Sequence, residues 1–152
     1  MSVVVVGNGM AGSRFVQELL DRSSEQITVI GDEPGGAYNR VLLSNVLAGS
    51  ARSEHIEIAG RSWYEERGVT LRTGVAVTGI DRIRREVRLA DGSSIKYDTL
   101  VLATGSKAVL PPVVSGRLPA GVVPFRTLAD CEAIDRYAVD GGINLWAASS
   151  AE

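Results

Sequence analysis

Residues 3–12 read Val3-Val4-Val5-Val6-Gly7-Asn8-Gly9-Met10-Ala11-Gly12. Four β-branched residues predict a short strand, and it runs straight into a GxGxxG turn. Residues 13–22 then read as a helix, with Phe15, Val16, Leu19 and Leu20 on one stripe. A second β-branched run, Ile27-Thr28-Val29-Ile30, follows and ends at Asp32-Glu33. A glycine turn between strand and helix, with an acid about 20 residues further on, is the dinucleotide-binding pattern.

The spacing has a physical basis. Gly7 allows the tight exit from the strand. Gly9 removes the side chain that would keep a pyrophosphate off the backbone, and Gly12 lets the helix lie close on the strand. The helix N-terminus offers N–H groups and a partial positive charge to phosphates. Asn8, Met10 and Ala11 complete the phosphate loop. Asp32 or Glu33 stands where a ribose hydroxyl needs an acceptor.

Composition narrows the classes. The chain has 152 residues, enough for one domain with its own core. Hydrophobic residues make up 45% and charged residues 22%, with a mean hydropathy of +0.10, ordinary values for a globular chain. The net charge of −2 and the scattered arginines argue against nucleic acid as a partner. Arg82, Arg84, Arg85 and Arg88 read as the solvated face of a hairpin. The single cysteine, Cys131, rules out an internal disulfide framework and a cysteine-rich metal site. No bound metal is expected. A strand beginning at the N-terminus leaves no signal peptide, and no apolar run approaches membrane-spanning length. A cytoplasmic protein without membrane contact is the expectation.

Beyond the first β-α-β unit, Pro34-Gly35-Gly36 signals a turn and Val41–Leu47 a short helix. His55–Ile58 reads as extended, Ser62–Arg67 as a helix ending at Gly68, and Val69–Arg72 as the third parallel strand. Gly74–Ile83, Glu86–Ala90 and Ile95–Tyr97 then predict an antiparallel meander, with Asp91-Gly92 as a turn. Thr99–Ala103 reads as a parallel strand buried on both faces, leaving at Thr104-Gly105. Residues 106–121 are rich in Pro and Gly and read as a surface excursion. Val122–Phe125 reads as extended, and Thr127–Tyr137 as a helix capped by Thr127, with Leu128, Ile134 and Tyr137 inward. The domain is expected over residues 1–140, with an unpatterned tail over 141–152.

These features together resemble the FAD-binding domain of two-dinucleotide flavoprotein reductases. The stretches Gly31-Asp32-Glu33-Pro34, Ala37-Tyr38-Asn39-Arg40, Leu43-Ser44 and Leu47-Ala48-Gly49 are more specific. They are similar to the flavin domain of the large subunit of assimilatory NAD(P)H nitrite reductase. Ferredoxin and rubredoxin reductases look like more distant relatives. The resemblance implies an α/β fold: a Rossmann-like FAD-binding domain with a parallel sheet and an inserted antiparallel β-meander, incomplete at the C-terminus.

Carried over by position, the resemblance implies that Gly7, Asn8, Gly9, Met10, Ala11 and Gly12 hold the FAD pyrophosphate. Glu33, with Asp32 competing, would accept from the adenosine ribose. Arg40 matches an arginine near the flavin phosphates, and Val77 a residue whose backbone holds the adenine. Ala103, Thr104 and Gly105 would pack on the phosphate side, and Arg126 matches an arginine that contacts FAD. Asn45 stands where relatives often carry a lysine near the isoalloxazine, and a neutral amide cannot stabilise a flavin anion as a cation can. Taken alone, Arg40 is compatible with a surface arginine, Arg126 with a residue preceding a helix cap, and Thr104-Gly105 with a simple strand exit. His55, the only histidine, reads as structural or exposed, and Cys131 as a small buried residue. No catalytic residue emerges.

Family members continue past a position near Gly141-Gly142 into a second glycine-rich domain that binds NAD(P)H, then return with a strand ending in Gly-Asp. Residues 143–152 carry neither. FAD is therefore the expected cofactor, with NAD(P)H bound only if a second domain or partner supplies the site. Three functions stay open: the flavin-binding piece of an NAD(P)H-dependent reductase that passes electrons to an acceptor, a non-catalytic nucleotide-binding remnant, or an NAD(P)-binding module serving a partner. The absent strand implies an open sheet edge, hence a homodimer or companion subunit.

Overall fold

The structure is a computed structural model that describes residues 1–109 and 122–139. The chain divides into two compact units. The first comprises Met1–Asn39 and Glu57–Gly105; the second comprises Arg40–Ile56 and the chain from Ser106 onward.

The first unit is mixed α/β around a parallel sheet. Its strands are β1 (Ser2–Val6), β2 (Gln26–Ile30), β3 (Ala37–Tyr38), β4 (Glu57–Ala59), β5 (Thr70–Arg72), β6 (Val77–Asp81), β7 (Glu86–Leu89), β8 (Ser94–Lys96) and β9 (Thr99–Leu102). Helices α1 (Met10–Leu20) and α3 (Arg61–Glu65) belong to the same unit. Four strands form the parallel sheet in the order β5-β2-β1-β9. β1 lies at its centre, and all four valines of Val3–Val6 are buried. Alternation sends them to opposite faces. Val3 and Val5 join Val16 of α1, Ile27, Val29 and Tyr64 in one core. Val4 and Val6 join Ile30, Val87 and Leu89 in the other, under the antiparallel meander β6-β7-β8. The expected α/β class, parallel sheet and antiparallel insert are all present.

The second unit holds α2 (Leu43–Leu47) and α4 (Leu128–Val139). A turn of 3-10 helix precedes α2 at Arg40–Leu42, and another covers Ser53–Ile56. Leu43, Ile56, Cys131 and Ile134 are its buried residues among those described, and the Cys131 thiol points at the Leu43 carbonyl, 3.8 Å away. Burial pushes that thiol's pKa up. Thr127 caps α4 as the sequence suggests: its hydroxyl accepts from the Asp130 N–H at 3.2 Å. The Asp130 carboxylate returns the favour, accepting from the backbone N–H of Thr127 at 2.8 Å and of Arg126 at 2.9 Å.

Several elements differ from expectation. α1 starts at Met10, not Ser13, because the helix begins directly after Gly9 and uses the rest of the glycine motif as its first turn. Its buried face is Gly12, Ser13 and Val16, while Phe15 is 37% exposed. β9 is not covered on both faces, and Leu102 is 60% exposed. The strand stands at the sheet edge, with β1 its only neighbour among the described residues. His55 and Ile56 are in the 3-10 turn rather than extended, and Val122–Phe125 forms no strand. Tyr137 is 42% exposed, not inward. The extended reading of His55–Ile58 holds for Glu57 and Ile58, which open β4, but β3 and its pairing with β4 have no counterpart in the sequence reading, since a two-residue strand leaves no periodicity. The Pro/Gly-rich stretch over 110–121 and the tail over 141–152 lie outside the described residues.

Candidate functional site

The glycine turn joins β1 to α1 at the carboxyl end of the parallel sheet, where open α/β sheets bind their ligands. Its three glycines have different surroundings. Gly7 has φ +114°, and a Cβ there would stand 2.1 Å from the Ala103 carbonyl oxygen. A Cβ on Gly12 would stand 2.0 Å from the Gly7 carbonyl oxygen. Both positions are closed by backbone. A Cβ on Gly9 would meet nothing within 4 Å. Gly9 is also the N-cap of α1, and no side chain among the described residues caps that helix end. The N–H groups of Met10, Ala11 and Gly12 have no intrahelical acceptor by geometry, so an anion is the natural partner for them. Closed glycines on either side of an open one, in front of an uncapped helix, fit a pyrophosphate laid against the backbone.

The two acids after β2 differ in their surroundings. Asp32 is exposed, whereas Glu33 is half-buried and accepts a hydrogen bond from the Tyr38 hydroxyl at 2.5 Å. The Glu33 carbonyl also accepts from the Gly74 N–H at 3.1 Å. Glu33 is thus oriented by the fold and Asp32 is not. The neighbouring turn is tied back to the loop through Asn8, whose amide nitrogen donates to the Gly35 carbonyl at 3.4 Å. The Asn8 amide oxygen accepts from the hydroxyl of Tyr64 at 2.7 Å. Tyr64 is fully buried, and burial pushes its hydroxyl pKa up to about 12. Sequence reasoning missed Tyr64 as a site neighbour. An aromatic in a short helix carries no signal of which loop its hydroxyl reaches.

Ala103 closes the other side of the loop. Its N–H donates to the Val6 carbonyl at 2.8 Å, continuing the β1-β9 register beyond Leu102. Thr104 and Gly105 follow as exposed residues. Val77 is half-buried at the start of β6, paired with Leu89, with a register shift before Gly79. The first unit therefore brings Gly7–Gly12, Glu33 and Ala103 into one neighbourhood, and places Val77 in the strand that covers the other face of β1.

In the second unit Arg40 and Arg126 are brought together. The Arg40 guanidinium donates to the Arg126 carbonyl at 3.1 Å, and the Arg126 Nε donates to the Ser106 carbonyl at 2.7 Å. Both are half-buried, so neither is a plain surface arginine. Asn45 is exposed on α2, and its carbonyl accepts from the N–H of Ser50 and Ala51. His55 is exposed. No helix among the described residues is long and apolar enough to cross a membrane.

Residues 1–144 match the family of pyridine nucleotide-disulphide oxidoreductases, and the chain belongs to that family. Its curated relatives include the assimilatory nitrate reductase electron transfer subunit of Bacillus subtilis (strain 168), 40% identical over 134 residues. That alignment takes in 87% of this chain and 17% of the relative. The nitrite reductase [NAD(P)H] of the same organism is 40% identical over 133 residues, 86% of this chain and 16% of that protein. Among solved structures, the covalent putidaredoxin reductase-putidaredoxin complex matches with a TM-score of 0.81 at 35% identity, covering 90% of this chain and 34% of that chain. The chain is a Rossmann-type domain of that family, homologous to proteins named as nitrite reductase and ferredoxin–NAD(+) reductase subunits, and spans a minor part of their length.

Proposed function

We propose that the chain is the FAD-binding portion of an NAD(P)H-dependent flavoprotein reductase of the nitrite-reductase-large-subunit type. The observation that carries this is the open Gly9 between two closed glycines at an uncapped helix end. Two further features favour FAD over a nicotinamide nucleotide in this site, the antiparallel insert β6-β8 and the Gly31–Gly49 stretch, and the relatives named as nitrite reductase [NAD(P)H] and nitrate reductase electron transfer subunit support the reductase reading.

In this proposal the backbone of Gly7, Asn8, Gly9, Met10, Ala11 and Gly12 receives the pyrophosphate, helped by the α1 dipole. Glu33, oriented by Tyr38, accepts from the adenosine ribose, and Asp32 drops out of that role. The backbone of Val77 receives the adenine. Ala103, Thr104 and Gly105 form the wall behind the phosphates, where small residues permit close approach. Arg40 and Arg126 supply positive charge to the cofactor, and Asn45 a neutral amide near the ring. When bound, the flavin supplies the hydride-accepting and electron-passing chemistry. NAD(P)H binds only if a second domain or a companion subunit supplies its site.

The test is the visible absorption spectrum of the purified chain after incubation with excess FAD and desalting. Flavin bands are expected to remain with the protein, and Gly9→Val is expected to lose them. A chain that retains no flavin refutes the proposal.

A further inference from the structure

We infer that Tyr64 is a positioning residue for the phosphate loop: its hydroxyl, acting through Asn8, holds the loop in the form that receives the dinucleotide and ties it to the Gly35 turn. This role rests on the FAD assignment of the loop.

The GxGxxG pattern leaves position 8 open to many residues, because the pyrophosphate contacts there are made by backbone. The structure supplies a reason for asparagine. Both polar ends of its side chain are engaged within the unit. The oxygen accepts from Tyr64 at 2.7 Å, and the nitrogen donates to the Gly35 carbonyl at 3.4 Å. Its Cβ is pressed on Gly31, where an added Cβ would come within 2.9 Å of it. Three contacts from two separated segments, the connection after β2 and helix α3, thus locate one residue between the glycines of the loop. A side chain held at both ends of a planar amide restricts the peptide planes on either side of Asn8.

Tyr64 suits this anchoring role. Its ring is fully buried in the same core as Val3, Val5 and Val16, and lies edge-on to Trp63 with centroids 4.9 Å apart. The hydroxyl therefore stands in a place set by the core, before any ligand arrives. A loop ordered in advance binds with less loss of conformational freedom. Burial, which pushes the pKa up to about 12, keeps the hydroxyl a neutral donor at neutral pH. The turn that Asn8 reaches, Gly35, lies two residues from Glu33, so one side chain connects the phosphate loop to the segment bearing the ribose acceptor.

The experiment uses the full chain as wild type, Tyr64→Phe, Asn8→Ala and the double variant. FAD dissociation constants are measured by flavin fluorescence, and amide hydrogen exchange is followed without ligand. Losing this hydrogen bond is expected to weaken FAD binding about tenfold in Tyr64→Phe. Asn8→Ala is expected to lose at least as much, and the double variant no more than Asn8→Ala alone. Exchange at residues 8–10 should quicken while β1 and β2 keep their protection. Tyr64→Phe with wild-type affinity and wild-type loop exchange overturns the role. So do losses that multiply in the double variant, since Tyr64 then does not act through Asn8. If Tyr64→Phe does not fold, Asn8→Ala with wild-type affinity and loop exchange overturns it equally. A wild type that binds no FAD refutes the flavin assignment itself, whereas a wild type that binds beside an unaffected Tyr64→Phe refutes only the Tyr64 role.

Discussion

Alanine at Gly12 and valine at Gly9 separate the glycine that packs the fold from the one proposed to face the cofactor. A Cβ on Gly12 would lie 2.0 Å from the Gly7 carbonyl oxygen and 3.2 Å from its carbon, where ordinary contact begins at 3.4 Å. The obstacle is backbone, so no side-chain rotation relieves it. Helix α1 must retreat from β1 by more than an ångström, which loosens the packing around the fully buried Val16. Forcing extra volume into a packed core costs about 1–3 kcal/mol, and the backbone clash puts this case near 3 kcal/mol. For a domain of this size that corresponds to a fall in Tm of about 6–12 °C. Gly9 is different. Its φ of −96° and ψ of −168° lie in the extended region that valine accepts, and its Cβ direction is open. Gly9→Val without ligand should melt within about 2 °C of wild type. Its FAD affinity should fall at least about a hundredfold, since two charge-assisted hydrogen bonds to phosphate at about 1.5 kcal/mol each are blocked. Differential scanning calorimetry of the ligand-free proteins and titration calorimetry with FAD measure the two effects. A Gly12→Ala protein that melts with wild type, or a Gly9→Val protein that binds FAD with wild-type affinity, refutes the reasoning.

Other expectations follow from single contacts. Thr127→Ala removes the α4 cap, and a urea titration should show a loss of about 1 kcal/mol. The backbone N–H and the hydroxyl of Ser2 hold the Asp98 carboxyl below its ordinary range. A depressed carboxylate pKa gives stability that is complete above about pH 4 and is lost as the pH falls through the folded-state value. Acid titrations of Tm should therefore be flatter for Asp98→Asn than for wild type, and parallel curves would count against the contact. Tyr64 has the opposite sense: with a folded pKa of about 12, it contributes stability that is present below the ordinary tyrosine value and lost as the pH rises from there. Tyr64→Phe should lessen the alkaline fall in Tm, and an unchanged fall would refute this. The outer edge of β9 has no partner among the described residues, so light scattering is expected to show a dimer or a complex. A monodisperse monomer would refute that expectation.

Local pattern was enough for much of the fold. The valines of Val3–Val6, the glycine motif, the run ending at Asp32-Glu33 and the Asp91-Gly92 turn each act through near neighbours. Strand, turn and helix preferences are written at that range, so the β-α-β unit, the meander and the Thr127 cap could be read directly. The glycine turn between β1 and α1 was legible for the same reason: its form depends on backbone that only glycine leaves open, and glycine is visible in a sequence.

Tertiary contacts decided the remainder. Which of Asp32 and Glu33 is oriented depends on the Tyr38 hydroxyl, and that depends on the short β3-β4 pairing. Arg40 and Arg126 are separated by 85 intervening residues, and only folding sets one guanidinium on the other's carbonyl. The exposure of Leu102 depends on how many neighbours β9 has, a property of the sheet and not of the strand. Asn8 and Tyr64 show the division most sharply. Asn8 is legible as a loop position and Tyr64 is not, and their hydrogen bond exists because a core built from distant strands fixes where a buried ring must end.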